Sequence, residues 1–174
     1  MIQRGSTDDW VTTPKILADA EAKLGLGGRG GRGNAPLDAL AAADFGGRGG
    51  GVGATKEQFT ENFRSPAKRV PRGFVVPSNQ PDFLTAEKFL VALQKAGIIV
   101  HRATGGFTAG GKQYPAGSYV VKSNQAFRAH VLDMFEPQDH PNDFAYPGAA
   151  PTRPYDNAGW TLAIQMGVKF DRIL

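Results

Sequence analysis

The clearest pattern of apolar and polar positions in this chain lies between residues 72 and 121. A short apolar run at residues 73–76 is followed by a helical pattern at residues 83–96 and by a second apolar run at residues 98–100. A strand, a helix and a strand at this spacing are typical of a right-handed βαβ crossover. The second run is apolar throughout, as expected of a strand that is covered on both faces. We therefore expect an α/β fold organised around this crossover.

The helix of this crossover is predicted by the spacing of its apolar positions, which recur every three or four residues. Charged and amide side chains occupy the opposite face. Asp82 or Thr85 is the predicted N-cap, and Gly97 is the predicted left-handed residue that ends the helix. The buried face is predicted to contain Ala86, Phe89, Leu90, Leu93 and Ala96.

Residues 107–121 predict a β-hairpin and a further strand. Two short extended runs flank Gly110 and Gly111. Paired glycines favour a tight primed turn because both positions can take a positive φ. A second turn at residues 115–117 then leads into an extended run at residues 118–121.

Two more elements are predicted after this strand. Ser123 or Asn124 is the predicted N-cap of a helix that Pro137 ends. The last segment, residues 159–170, alternates like a strand but also shows helical spacing, and we expect a short helix capped by Asp156. The preceding helix is predicted to have one apolar face made of Phe127, His130, Val131, Met134 and Phe135.

The pattern divides the chain into four regions. These are an N-terminal segment with a short helix (residues 1–24), a flexible Gly/Arg-rich insert (25–54), a linker with a short helix (55–71) and an α/β accessory domain (72–174). The two short helices are predicted to begin at threonine N-caps. These caps are Thr13, which precedes a proline, and Thr55.

The insert contains 12 of the 23 glycines of the chain. It includes a formal G-x-G-x-x-G motif, but a dinucleotide site needs a strand before that motif and a helix after it, and here a helix precedes it. Arg29, Arg32 and Arg48 are too few to capture nucleic acid strongly, and Phe45 is the one aromatic residue among them. We expect a flexible insertion, and an RG-rich tether that contacts nucleic acid is the alternative.

Composition narrows the classes of function. The formal net charge of +4 and the pI of about 9.5 are mildly basic, which a solvated Lys/Arg surface also produces. The absence of cysteine excludes disulfides and thiolate zinc sites but assigns no compartment. The first residues are not typical of a signal peptide, and no run approaches the roughly 18 apolar residues of a membrane span. We expect a soluble chain without a membrane partner.

One stretch resembles a known family. The sequence FTAGGKQYPAGSYVV at residues 107–121 is similar to a segment downstream of the peptidase domain in large bacterial proteins of the zinc carboxypeptidase A-like family. Residues 132–138 and 154–162 continue the likeness in the same order, and residues 3–10 resemble the stretch that leads into that region. The similarity covers about residues 70–172 and, more weakly, residues 1–16, and it is interrupted by the Gly-rich insert.

The family implies zinc-dependent removal of C-terminal residues, with zinc held by an H-x-x-E pair and a later histidine, and with a glutamate as general base. No H-x-x-E occurs here, because His101, His130 and His140 are followed by other residues at that spacing. The resemblance therefore implies a non-catalytic accessory segment without zinc of its own. It implies open, three-layer α/β packing of the amidotransferase or flavodoxin type. It also implies an upstream peptidase domain as partner, in the same or a neighbouring chain. Members of this family are often exported.

Three functional hypotheses follow from these observations. The preferred one is an accessory region that serves docking, stability or substrate access. The alternatives are a stand-alone binding module whose RG-rich insert contacts nucleic acid, and an intact hydrolase. Under the preferred hypothesis we expect no nucleic-acid partner.

Few residues of the chain suggest a site. The H-x-x-D pairs His130/Asp133 and His140/Asp143 lack an evident third ligand, so we expect no metal site. Ligands of open α/β sheets bind beyond the carboxyl ends of the strands. That rule makes Ser78, Asn79 and Gln80, after the first strand, and Thr104, after the second, the candidate ligand-binding residues.

Overall fold

The computed structural model describes residues 2–24, 55–138, 144–153 and 159–174. The chain forms two compact units. The sheet unit combines Met1–Val11 with Arg69–Leu174, and the helical unit is Thr12–Lys68. The predicted Gly-rich insert, the pair His140/Asp143 and the predicted cap Asp156 lie outside the described residues.

The chain begins with helix α1 (Ile2–Ser6), which belongs to the sheet unit. The helical unit contains α2 (Pro14–Leu24), α3 (Lys56–Phe63) and a 3₁₀ turn (Pro66–Lys68). Both predicted caps are confirmed. The hydroxyl of Thr13 accepts from the N–H of Ile16 at 3.3 Å. Thr55 and Gln58 form a reciprocal capping box with hydrogen bonds of 3.2 and 2.8 Å.

The sheet unit contains the remaining elements in mixed order. Its helices are α4 (Phe83–Lys95), α5 (Arg128–Phe135) and α6 (Leu162–Gln165). Its strands are β1 (Gly73–Val76), β2 (His101–Arg102), β3 (Phe107–Ala109), β4 (Lys112–Tyr114), β5 (Tyr119–Lys122) and β6 (Asp171–Ile173).

The main sheet has four strands in the order β2-β5-β1-β6, and each neighbouring pair is antiparallel. The fold is therefore a mixed α/β fold with an open antiparallel sheet. Strands β1 and β2 run parallel to each other, as a crossover requires, but β5 lies between them. The predicted crossover helix is confirmed, with Asp82 as its N-cap and Gly97 at a φ of 84° after its end.

The second strand of the predicted crossover was placed too early. The strand is His101–Arg102 and not residues 98–100. Ile98 packs in the core while its N–H continues the end of α4 by donating to the carbonyl of Leu93 at 3.0 Å. The N–H and the carbonyl of Ile99 are both bonded to the side chain of Gln125, at 2.8 and 3.3 Å. A side-chain amide thus occupies the backbone groups that a neighbouring strand would otherwise bind.

The predicted hairpin is confirmed and forms a separate two-stranded sheet of β3 and β4. Gly110 and Gly111 have φ values of 57° and 77°, as a primed turn requires. Phe107 and Tyr114 stack across the hairpin with ring centroids 5.2 Å apart. Hydrogen bonds from Lys112 and Tyr114 to Asp171 hold the hairpin against β6.

Helix α5 begins later than predicted. Its N-cap is Phe127, without a side-chain cap, rather than Ser123 or Asn124. The N–H of Ser123 donates to the carbonyl of Arg72 at 2.8 Å and so continues the pairing of β5 with the chain before β1. Phe127 is 54% exposed, so its predicted place on the buried face is wrong, whereas Val131 and Phe135 are buried as predicted.

The short helix that we expect in residues 159–170 is confirmed, whereas the strand that follows it lies after that segment. A short helix, α6, occupies Leu162–Gln165, and the chain ends in the edge strand β6. Val168 is buried between them, and Phe170 packs against the core.

Four phenylalanine rings form the centre of the core. Phe135 stacks on Phe74 with centroids 4.3 Å apart and meets Phe89 and Phe170 edge-on at 5.2 and 5.1 Å. These rings join β1, α4, α5 and the approach to β6 on one face of the sheet. Val75 of β1 is also buried, on the opposite face, where the hairpin lies. Strand β1 is thus covered on both sides.

Residues 2–11 are held to the rest of the sheet unit by two consecutive aspartates. Asp8 pairs with Arg72 at 2.6 Å and with Arg69 at 2.9 Å. Asp9 pairs with the buried guanidinium of Arg128 at 3.2 Å. The hydrogen bonds from Arg72 and Arg69 hold the pKa of Asp8 below its usual value. The basic residues Arg69 and Arg72, just before β1, therefore bind this acidic segment.

The docked segment also approaches the sheet closely. A Cβ on Gly5 would lie 2.3 Å from the carbonyl oxygen of Ser123, so only glycine fits at this position. The N–H of Val70 donates to the carbonyl of Asp9 at 2.9 Å. The points at which the chain leaves the sheet unit and re-enters it are therefore adjacent.

We expect Phe135→Ala to lower the free energy of unfolding by about 3–5 kcal/mol, because the substitution leaves a cavity among packed rings. Phe127→Ala, on the same helix, is the matched control and should cost less than about 1 kcal/mol because the side chain is largely exposed. Chemical denaturation of both variants measures the difference. Equal losses would contradict this description of the core.

Because the exit and re-entry points are adjacent, a short Gly-Ser linker in place of residues 12–68 should leave the sheet unit folded. Circular dichroism and thermal unfolding of the shortened chain measure this. A second variant that also carries Asp8→Asn should unfold at a lower temperature, since Arg69 and Arg72 then lose their anion. If the shortened chain with the native Asp8 already fails to unfold cooperatively, then the contacts that join residues 2–11 to residues 69–72 do not hold the two ends of the excursion, residues 12–68, together.

Candidate functional site

A cleft of about 560 Å³ opens at the carboxyl end of β1. Three segments of the sheet unit line it: residues 77–80 after β1, residues 112–115 at the end of the hairpin, and residues 164–171, from within α6 to the start of β6. Its volume is within the range of pockets that hold small molecules, roughly 300–1,000 Å³. The chemistry of the cleft depends on the side chains that connect these three segments.

Gln80 ties the first segment to the third. Its amide oxygen accepts from the N–H of Lys169 at 2.9 Å, and its amide nitrogen donates to the carbonyl of Lys169 at 2.6 Å. The same nitrogen donates to the carbonyl of Pro77 at 3.1 Å. The Gln80 side chain therefore pairs with backbone as a neighbouring strand would, and it fixes one wall of the cleft.

Asp171 ties the second segment to the third. Its carboxylate accepts from the Lys112 ammonium at 2.7 Å and from the hydroxyl of Tyr114. Tyr114 is only 4% exposed. Burial, together with the bond to Asp171 and its negative charge, raises the pKa of Tyr114 to about 12. The hydroxyl thus stays protonated and remains a hydrogen-bond donor at neutral pH.

The surface of the cleft combines an apolar floor with a polar rim. Ile164, Val168 and Phe170 provide apolar surface, and Ile164 is 54% exposed. Asn79, Gln113 and the lysines at positions 112 and 169 also line it. The arrangement can hold a small molecule that has an apolar part and a hydrogen-bonding or charged part.

The four candidate residues from the sequence do not all meet in this cleft. Asn79 and Gln80 line it, and Gln80 is occupied with backbone. Ser78 instead donates to the carbonyl of Ala116 at 3.1 Å. Thr104 is exposed and is not part of the cleft. Ser78 and Thr104 follow β1 and β2, but β5 separates those two strands, so the carboxyl ends do not form one crevice.

The sequence reasoning missed Lys112, Tyr114, Lys169 and Asp171. Lys112 and Tyr114 are two positions apart on strand β4. That spacing could have indicated that their side chains lie on the same face of the hairpin. Their partner is Asp171, 59 positions away from Lys112. No local pattern gives a contact of that separation.

Within residues 2–24, 55–138, 144–153 and 159–174, no three His, Cys, Asp or Glu side chains cluster as a metal site would require. His130 is half-buried, and its predicted partner Asp133 accepts from the Gln138 amide at 2.9 Å. In the same ranges, no helix is long and apolar enough to cross a bilayer.

Comparisons of this chain with protein-family models, curated proteins and solved structures find no match. Its function is therefore inferred from its own residues and geometry.

The raised pKa of Tyr114 predicts a loss of stability in alkali. A phenol whose pKa is higher in the folded state than in the unfolded chain stabilises the fold fully below about pH 10, and that contribution disappears as the pH rises through about 12. We expect Tyr114→Phe to be less stable than the parent chain at neutral pH and to show a weaker decline between pH 10 and 12. Denaturation curves across this range measure the decline, and identical profiles would contradict the assignment.

Proposed function

We propose that this chain is a non-catalytic accessory region of a zinc carboxypeptidase-like protein. One observation carries the proposal. The described residues that give the chain its resemblance to that family form turns, packing contacts and part of the cleft wall, and none of them forms a catalytic constellation.

The turn residues of the resembling segment illustrate this. Gly110, Gly111 and Gly117 all have positive φ, a backbone conformation that disfavours residues with a Cβ. Ser118 is completely buried, and its hydroxyl donates to the carbonyl of Pro115 at 2.8 Å and accepts from the N–H of Ser78 at 3.2 Å. Residues with such roles maintain a scaffold.

The second resembling segment has the same character. Phe135 is at the centre of the aromatic core, and Glu136 accepts from Arg172 at 2.7 Å across the helix-bearing face of the sheet. The weakly resembling N-terminal stretch contains Asp8 and Asp9, which bind the sheet unit through arginines. These roles support an accessory module that includes residues 2–11.

In this proposal the module docks on a peptidase domain, in the same or a neighbouring chain, and contributes to its stability or to substrate access. Zinc belongs to that domain. The amidotransferase- or flavodoxin-type layering that the resemblance implies is part of the same proposal. The nucleic-acid alternative depends on residues 25–54, and no described residue adds support to it.

The test is a zinc and peptidase assay on the purified full chain. The chain is incubated with equimolar zinc, desalted and analysed for bound metal, and it is then assayed with N-blocked peptides for release of the C-terminal residue. We expect substoichiometric zinc and no release, with an active zinc carboxypeptidase as the positive control. Stoichiometric zinc together with peptide turnover would show instead that the chain is a hydrolase.

A further inference from the structure

We propose that the cleft between residues 77–80, 112–115 and 164–171 binds a small organic monocarboxylate that carries one apolar group. The proposal concerns a ligand of this chain itself. It goes beyond the accessory role described above and does not depend on it.

The cleft is formed before any ligand arrives. Its three segments are distant in sequence, and side chains that belong to its walls hold them together. Gln80 binds both backbone groups of Lys169, and Asp171 binds Lys112 and Tyr114. A ligand that enters a pre-formed site has a smaller ordering cost to overcome than one that must assemble it.

The charges of the lining favour an anion. Lys112, Lys169 and Asp171 are the charged residues of the lining, so its formal charge is +1. The carboxylate of Asp171 already accepts hydrogen bonds from Lys112 and Tyr114. Lys169 has no ion-pair partner within the described ranges. One ammonium without a counter-charge suits a single carboxylate.

The polar rim and the apolar floor define the rest of the ligand. The amides of Asn79 and Gln113 are available for hydrogen bonds, since no described residue bonds to either side chain. Ile164, exposed although it is a large apolar side chain, lies in the same cleft as Phe170. A branched aliphatic or aromatic group on the carboxylate would cover this surface and remove apolar area from water.

Two sources offer this chemistry. A free aliphatic acid has a carboxylate and an apolar group, and so does the C-terminal residue of a peptide.

The experiment therefore titrates the full chain, observed by amide NMR, with 4-methylpentanoate and with N-acetyl-Ala-Ala-Leu. The carboxamide of each compound, which has the same shape without the charge, is the matched control ligand.

We expect at least one of the two acids to bind about tenfold more tightly than its amide, because the amide cannot form the charge-assisted contact. Shifts should concentrate at residues 77–80, 112–115 and 164–171. Binding of the peptide acid identifies chain termini as ligands, and binding of 4-methylpentanoate alone identifies free acids. Either result supports the site.

Two substitutions test the assignment of the cleft. Lys169→Gln removes the unpaired charge, and Ile164→Asp adds a negative charge at an exposed position, so each should weaken acid binding about tenfold while the chain remains folded. Lys88→Gln, on the exposed face of α4 and outside the cleft, is the matched control and should bind as the parent does. The proposal is overturned if neither acid binds up to about 10 mM, if the amides bind equally well, or if Lys88→Gln weakens binding as much as Lys169→Gln.

Discussion

Burial of β1 on both faces is the constraint on which the rest of the sheet unit depends. Phe74 and Val76 pack under the helices, and Val75 is buried on the opposite face, towards the hairpin, so every side chain of this short strand is withdrawn from water. A strand of this kind must have a neighbour at each edge to satisfy its backbone, and β5 and β6 provide them. Most of the chain after α4 completes this central strand. Strand β5 pairs with one edge of β1 and β6 with the other, and α5 and α6 cover one face.

This constraint explains which features the sequence predicts well. Local signals were sufficient where a residue acts on its own neighbours. Asp82 and Thr55 cap the helices that follow them, Gly97 ends α4, and Gly110 with Gly111 turns the hairpin. The apolar run at residues 98–100 was misleading because burial and strand formation are separate properties. Ile98 is buried as part of a helix end, and the backbone of Ile99 is bound by the Gln125 side chain, a partner that no periodicity shows.

The candidate site illustrates the same limit. The rule that ligands bind at the carboxyl ends of strands led to Asn79 and Gln80, which do line the cleft. The rule assumes that consecutive parallel strands lie side by side, and here β5 separates them, which places Thr104 elsewhere. The charged residues of the cleft come from the hairpin and from the chain before and within β6. Their meeting is a consequence of strand order, which depends on the whole core and not on any one segment.

The hydrogen bond between Val70 and Asp9 has a mechanical consequence for the chain. Because it closes the base of the excursion at residues 12–68, the excursion can lengthen or shorten without changing the entropy of forming the sheet unit by more than a small logarithmic term. Tension applied through the excursion would load the pairs of Asp8 with Arg69 and Arg72 before it reached any strand. The two aspartates thus fasten both ends of this segment to the sheet unit, so that a pull on the segment meets ion pairs before it meets the hydrogen bonds of a strand.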